Sequence, residues 1–210
     1  MLGIELKGKT ALITGATQGI GKSVADKFHK AGANLILTGT KMAEIKTLND
    51  ENRLRGISNI RYFQLDLASA ESTEDFLAKL EQYTQIDICV NNAGINIVNE
   101  FESTTEQDFD LINLVNLKGP YKLLKAVTPL MVKNQYGRIV NVASIWSVVT
   151  RKGRSLYTTS KNGLVGLTKT LAVELASQNV LVNAVSPGFT LTELTKRTNS
   201  TAELKSISST

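Results

Sequence analysis

Cysteine, histidine and aromatic residues are scarce in this chain, and each scarcity closes off a class of function. The 210 residues include one cysteine, Cys89, and one histidine, His29. A single cysteine cannot form a disulfide framework within one chain. One thiol and one imidazole are too few for a zinc site built from side chains of this protein, so no metal ligand is assigned. Cys89 lies in the apolar run 86–90 (IDICV) and reads as a small buried hydrophobe. No apolar run approaches the ~18 residues that mark a membrane-spanning helix. The opening MLGIELKGKT lacks the apolar core of a signal peptide. A cytoplasmic protein with no membrane partner is expected. Aromatics make up only 6%, and the net charge of +5 comes from scattered lysines and arginines. Nucleic-acid binding calls for clustered basic residues, so a nucleic-acid partner is not expected.

What is present is ordinary globular composition, 42% hydrophobic and 20% charged, in a length that suits one domain. Short β-branched runs alternate with helical patterns. Strands are expected at 10–14, 34–38, 60–65, 86–90, 137–144 and 180–185. Helices are expected after the first glycine turn, over 41–55 and 71–82, over a long amphipathic stretch 104–133, and over 155–176. Six such alternations predict an α/β fold, a Rossmann-type doubly wound parallel sheet. Ligands in such sheets bind beyond the carboxyl ends of the strands. The glycine turn, Asp66, Asn91, Ser144 and Pro187 all follow strand ends.

The first strand runs into Gly15-Ala-Thr17-Gln-Gly19-Ile20-Gly21 and then a helical pattern that Gly32 ends. Glycines let backbone approach a diphosphate closely, and a helix N-terminus offers free N–H groups. The spacing is neither G-x-G-x-x-G nor a P-loop. After the second strand, where a carboxylate would bind a ribose 2′-hydroxyl, stand Thr38, Gly39, Thr40 and Lys41. With no carboxylate to repel a 2′-phosphate, and with Lys41 and Lys22 to attract one, NADP(H) is preferred over NAD(H), which stays possible. Asp66 and Leu67 stand where an adenine amino group would bind. Asn92, Ala93 and Gly94 form a turn on which a flat ligand can lie close to the backbone. Asn116 is a poor mid-helix residue and so a candidate for a polar role.

Tyr157 and Lys161 are four residues apart, which places them on one face of a helix. A phenol with a pKa near ~10 is a weak acid–base catalyst at neutral pH, and a neighbouring ammonium is expected to lower it. Ser144 ends the run RIVNVAS and can face the same cleft. Hydroxyl, phenol and ammonium together can polarise a carbonyl and deliver a proton to it.

These motifs resemble the classical short-chain dehydrogenases/reductases: Thr14-Gly15-x-x-x-Gly19-x-Gly21, Asn91-Asn92-Ala93-Gly94, Asn116, Ser144, Tyr157-x-x-x-Lys161 and Pro187-Gly188. The resemblance spans about residues 7–192 and is greatest to 3-oxoacyl-(acyl-carrier-protein) reductases. It implies that Tyr157 donates the proton, that Lys161 lowers its pKa and holds the nicotinamide ribose, that Ser144 holds the carbonyl oxygen, and that Asn116 anchors a water. It further implies a cofactor bordered by Gly15, Thr17, Gly19, Ile20 and Gly21, with Thr38, Lys41, Asp66, Leu67, Asn92, Ala93, Gly94, Pro187, Gly188 and Thr190 along its length. The implied substrate is a small carbonyl compound or acyl thioester, with a sugar or polyol alcohol as the rival class and dinucleotide binding without turnover as another. An acyl carrier protein is an implied partner, and a homodimer or tetramer the implied assembly. Three features depart from the pattern. The polar tail 193–210 stands where the family continues to a last helix and strand, so a C-terminally truncated chain is expected. Gln135 and Gln178 are neutral where carrier-docking arginines align, leaving Arg151, Lys152 and Arg154 on the active-site loop as substitutes. Thr40 replaces an arginine common in NADP-preferring relatives.

Overall fold

In a computed structural model, which describes residues 3–193 and 195, six parallel strands form one sheet. They are β1 (Thr10–Ile13), β2 (Asn34–Gly39), β3 (Ile60–Gln64), β4 (Ile88–Asn91), β5 (Gly137–Val142) and β6 (Val180–Val185), in the order β3-β2-β1-β4-β5-β6. The helices are α1 (Gly19–Lys30), α2 (Met42–Leu54), α3 (Ala70–Leu80), α4 (Glu106–Asn113), α5 (Gly119–Lys133) and α6 (Ser155–Leu175). Parallel strands need crossover connections, and the helices supply them on both faces of the sheet.

Side-chain alternation along each strand assigns the two faces. Leu12, Ile36, Cys89 and Ile139 point into a core with Phe63, Phe76, Leu123, Val127 and Met131, against which Leu167 and Leu171 of α6 pack. Ala11, Ile13, Leu35, Leu37, Ile88 and Val90 point the other way, onto Val24, Ala25 and Phe28 of α1. Cys89 is buried as expected, and burial pushes its thiol up to about 12, so it is inert as a nucleophile at neutral pH.

One expectation changes in form. The amphipathic stretch 104–133 is not a single α-helix: the turn Leu114–Lys118 between α4 and α5 is a π-turn. The N–H of Gly119 donates to Leu114 O, five residues back. The sequence contributes to this widening. Pro120 has no N–H to give the carbonyl of Asn116, the α-helical acceptor four residues before it. The widened turn includes Asn116, itself a poor residue for a helix interior.

At the edge of the sheet away from the strand C-termini, Asp87 is buried and organises the start of β1. It accepts hydrogen bonds from Thr10 N at 2.8 Å and from Lys9 Nζ at 3.1 Å, and Gln85 Nε2 donates to both its oxygens. Asp87→Ala leaves a buried strand N–H without its acceptor, and is expected to cost about 1–3 kcal/mol in a urea titration, with the slope of the transition unchanged. A midpoint equal to that of the wild type refutes that role.

Candidate active site

The strand order reverses between β1 and β4, and the loops leaving these two strands are stapled together. The Thr14 hydroxyl accepts from the backbone N–H of both Asn92 (3.0 Å) and Ala93 (2.9 Å). In return, Asn92 Nδ2 donates to Thr14 O at 2.9 Å and Gly15 O at 3.1 Å. Gly15 has φ +62 and lies so close to Ala93 that a Cβ would meet its Cα at 3.1 Å. A Cβ on Gly21 would stand 2.4 Å from Gly15 O and 2.5 Å from Asn92 Nδ2. Glycine is required at both positions for close approach.

Above this staple lies a cavity of about 540 Å³, within the range of small-molecule sites. Its walls include Gly15, Thr17, Gly19, Ile20, Asp66, Leu67, Asn92, Ala93, Gly94, Ser144, Tyr157, Lys161, Pro187, Gly188 and Thr190. The expected site residues thus converge from five strand ends. The N-terminus of α1 opens onto the cavity with no side-chain cap and no acidic residue in its first turn. Its free N–H groups suit a phosphate. The donor set therefore fits a dinucleotide.

Four expected cofactor residues and one catalytic residue lie elsewhere. Thr38 is buried beneath the glycine turn, where its hydroxyl accepts from Gly15 N at 3.3 Å. Gly21 packs under the same turn rather than lining the cavity. Lys41 caps α2 as an exposed residue outside the lining. Lys22 pairs with Asp26 at 3.0 Å across one helical turn, on the surface. A phosphate would have to draw it from that partner. Asn116 is fully buried and lies outside the cavity as a clamp: its Oδ1 accepts from Ile95 N, and its Nδ2 donates to Ile95 O and Ser160 Oγ, at 2.9, 2.9 and 3.1 Å. It fixes the Gly94–Ile95 backbone rather than facing a substrate.

Ser144 follows β5 and caps the short turn Ile145–Ser147, where its Oγ accepts from Trp146 N at 3.3 Å. Ile145 N donates to Pro187 O at 3.0 Å, which ties this turn to the segment after β6. The Ser144 hydroxyl also hydrogen-bonds the Tyr157 phenol. Lys161, 3% exposed, donates from Nζ to Val142 O at 2.7 Å and lies 5.7 Å from the Tyr157 ring centroid. Here the expected electrostatics are corrected. Burial raises the Tyr157 pKa above its ordinary value, and it is the Ser144 hydrogen bond and the Arg154 charge that oppose this rise. Lys161 is turned to the Val142 carbonyl, and its own burial brings its pKa down to about 8.

Sequence reasoning misplaced Arg154. It was expected as a loop charge and is instead 2% exposed, on the cavity wall just before α6. Trp146 and Phe189 also line the cavity and went unremarked; their rings meet edge to face at 5.7 Å. The available signal was the position of Arg154 three residues before Tyr157, one helical turn away.

Comparison with known proteins agrees with this geometry. The family model for short chain dehydrogenases matches residues 9–203. The chain belongs to the short chain dehydrogenase family. A 3-oxoacyl-[acyl-carrier-protein] reductase of Rickettsia bellii is 37% identical over 196 residues, covering 93% of this chain and 78% of the relative. A D-beta-hydroxybutyrate dehydrogenase of Rhizobium meliloti is also 37% identical, covering 90% and 74%. A Beutenbergia cavernae structure assigned as an NAD(P) dependent gluconate 5-dehydrogenase, with bound NADP, has a TM-score of 0.89 at 32% identity and covers 99% of this chain and 83% of that one. As a short chain dehydrogenase, the protein is an oxidoreductase acting on CH–OH or carbonyl groups with a nicotinamide dinucleotide. Among the described residues, no helix is long and apolar enough to cross a membrane.

Two outcomes follow from this geometry. Gly21→Ala must push apart the α1 turn, Gly15 and Asn92, at an expected cost of about 1–3 kcal/mol in thermal unfolding, together with at least a tenfold loss of NADPH affinity; an unperturbed affinity would show that the close approach is not needed. The second concerns Lys161. Its folded pKa, about 8, lies below the ordinary 10.5, so between these pH values the unfolded chain holds a proton that the folded chain lacks. Stability from this group therefore rises with pH across that window, by on the order of 3 kcal/mol. The stability difference between wild type and Lys161→Met is expected to rise accordingly from pH 8 to 10; a flat difference assigns Lys161 an ordinary pKa.

Proposed function

We propose that the protein interconverts a ketone and a secondary alcohol with NADP(H). The convergence of Ser144, Tyr157 and Lys161 on the wall of a cavity whose other end is the α1 N-terminus carries this reading. A bound nicotinamide would supply hydride-transfer chemistry at the carbonyl carbon, in either direction. Ser144 holds the carbonyl oxygen and stabilises its developing charge. Tyr157 gives that oxygen a proton, so the balance is ketone, NADPH and one proton to alcohol and NADP+. A phenol whose pKa is raised by burial is protonated at neutral pH, which suits the reductive direction. Lys161, buried beside Tyr157, holds the nicotinamide ribose and, when charged, attracts the phenolate formed after transfer. Asn116 positions the Gly94–Ile95 backbone against the cofactor.

Preference for NADP(H) is supported by Gly39 and Thr40 on the cavity wall, where a carboxylate would repel a 2′-phosphate. The NADP in the Beutenbergia cavernae structure agrees with it. NAD(H) remains a usable alternative cofactor. Two substrate classes compete. The Rickettsia bellii relative supports a 3-oxoacyl thioester, with an acyl carrier protein as partner. The hydroxybutyrate and gluconate relatives support an oxo or hydroxy acid. Self-association is proposed through the α4–α5 face, where Phe109 and Tyr121 are exposed beside a depression lined by Leu114, Leu117 and Leu167.

NADPH fluorescence titration is expected to show tighter binding than NADH, and Tyr157→Phe to keep that binding while lowering ketone reduction by about 10²–10⁴-fold. Oxidation of the alcohol needs the phenolate, so its rate is expected to climb from pH 7 to 9.5 while reduction does not. Full activity of Tyr157→Phe would overturn the assignment of the proton donor.

A further inference from the structure

Two aromatic rings stand on the cavity wall with no part in the reaction as drawn above. Trp146, the only tryptophan in the chain, lies two residues after Ser144, in the turn that Ser144 caps. Its N–H donates to Ser144 Oγ at 3.3 Å, so the residue bearing the indole is bonded to the group that holds the carbonyl oxygen. Phe189 follows Pro187-Gly188 in the segment after β6. Both rings line the cavity, and they meet at 83° with centroids 5.7 Å apart. The backbones beneath them are joined twice. Ile145 N donates to Pro187 O at 3.0 Å, and the hydroxyls of Ser147 and Ser186 pair at 3.2 Å. The guanidinium carbons of Arg151 and Arg154 lie 5.6 and 5.8 Å from the indole centroid, within cation–π range.

We infer that Trp146 and Phe189 determine specificity, forming the subsite for the group beside the carbonyl, and that this group is an unbranched alkyl chain packed on the two rings. This rests on the ketone–alcohol reading above and adds to it the substituent that the ketone carries. The indole stands next to the hydroxyl that holds the reacting oxygen, so the first carbons beyond the carbonyl meet the rings. An edge-to-face pair gives a wide and stiff apolar surface, because each ring limits the rotation of the other. Apart from the indole N–H, the rings offer a hydroxyl no partner. A polyol laid against them would lose water from its hydroxyls without replacement, whereas an alkyl chain gains from the same desolvation. The apolar surface continues outward. Phe189 is 43% exposed, and the residues that follow each ring are exposed and apolar: Val148 and Val149 after Trp146, Leu191 after Phe189. Apolar side chains gathered beside a cavity extend the surface on which a chain can lie.

The test follows NADPH oxidation with ethyl 3-oxobutanoate, ethyl 3-oxohexanoate and ethyl 3-oxooctanoate. In the wild type, kcat/KM is expected to rise roughly two- to threefold for each methylene removed from water, mainly through KM. Phe189→Ser and Trp146→Ala are expected to lower the octanoate-to-butanoate ratio by about tenfold, with Trp146→Phe between them and the wild type. NADPH affinity and thermal unfolding show whether each variant keeps its fold; Phe189→Ser, at a half-exposed ring, carries the test should Trp146→Ala not fold. Losses equal at every chain length give the rings a structural role only and overturn the inference, as does a wild type indifferent to chain length. Absence of turnover on all three esters refutes the activity reading instead. The subsite is then decided by the emission of Trp146, the sole indole, in the NADP+-saturated protein titrated with ethyl 3-hydroxyoctanoate. A saturable blue shift that Phe189→Ser weakens supports the subsite; no shift, or one that Phe189→Ser leaves unchanged, overturns it.

Discussion

The hydroxyl of Thr14 is the constraint on which the site depends. One oxygen accepts from two successive N–H groups of the loop after β4, while the Asn92 amide answers on the carbonyls of Thr14 and Gly15. This reciprocal pair locks two loops that the sheet topology only brings near each other. The lock sets the height of the glycine turn, and that height is why no Cβ fits at Gly21. It also explains Thr38, whose hydroxyl supports Gly15 from beneath. Residues that resemble cofactor contacts in the sequence are in part the scaffold that makes the contacts possible.

A second scaffold holds the catalytic end, and it is likewise made of buried amides. Asn91 Nδ2 donates to Asn141 Oδ1 at 2.8 Å, and Asn141 Nδ2 donates to Thr168 Oγ1 at 2.9 Å, which links β4, β5 and α6. α6 also carries Tyr157 and Lys161, so its position relative to the strand ends fixes theirs. Asn116 completes the arrangement by joining the Ile95 backbone to Ser160, the residue beside Lys161. Satisfied buried polar groups act here as positional constraints. Each costs free energy if misplaced, so each favours a single register of loop and helix.

The alternation of apolar runs with amphipathic segments made the doubly wound sheet legible, because strands buried on both faces cannot be other than apolar. Ser144, Tyr157 and Lys161 were legible for a different reason: strand end and helical spacing brought them to one wall. The placement of Thr38, Lys41 and Asn116 was not legible. Each is a polar residue near a ligand site, and which way a side chain turns is decided by partners distant in sequence, such as Gly15 for Thr38 and Ile95 for Asn116. Nor was the π-turn legible: Pro120 removes one α-helical hydrogen bond, but Pro129 does the same inside α5 without widening a turn.

The electrostatics could not be read from spacing at all. A tyrosine and a lysine one turn apart suggest an acidified phenol, yet desolvation reverses the expected direction for Tyr157 and lowers the proton affinity of Lys161. Both shifts have one origin, since a pocket that excludes water penalises the phenolate and the ammonium alike. The same exclusion strengthens every charge that remains, as the lower effective dielectric raises each Coulomb interaction. Arg154, whose charge cannot be titrated away, acts on the phenol from the same cavity wall. It opposes the rise in the Tyr157 pKa without reversing it, so burial still decides the state of the phenol, which is protonated at neutral pH as reduction requires.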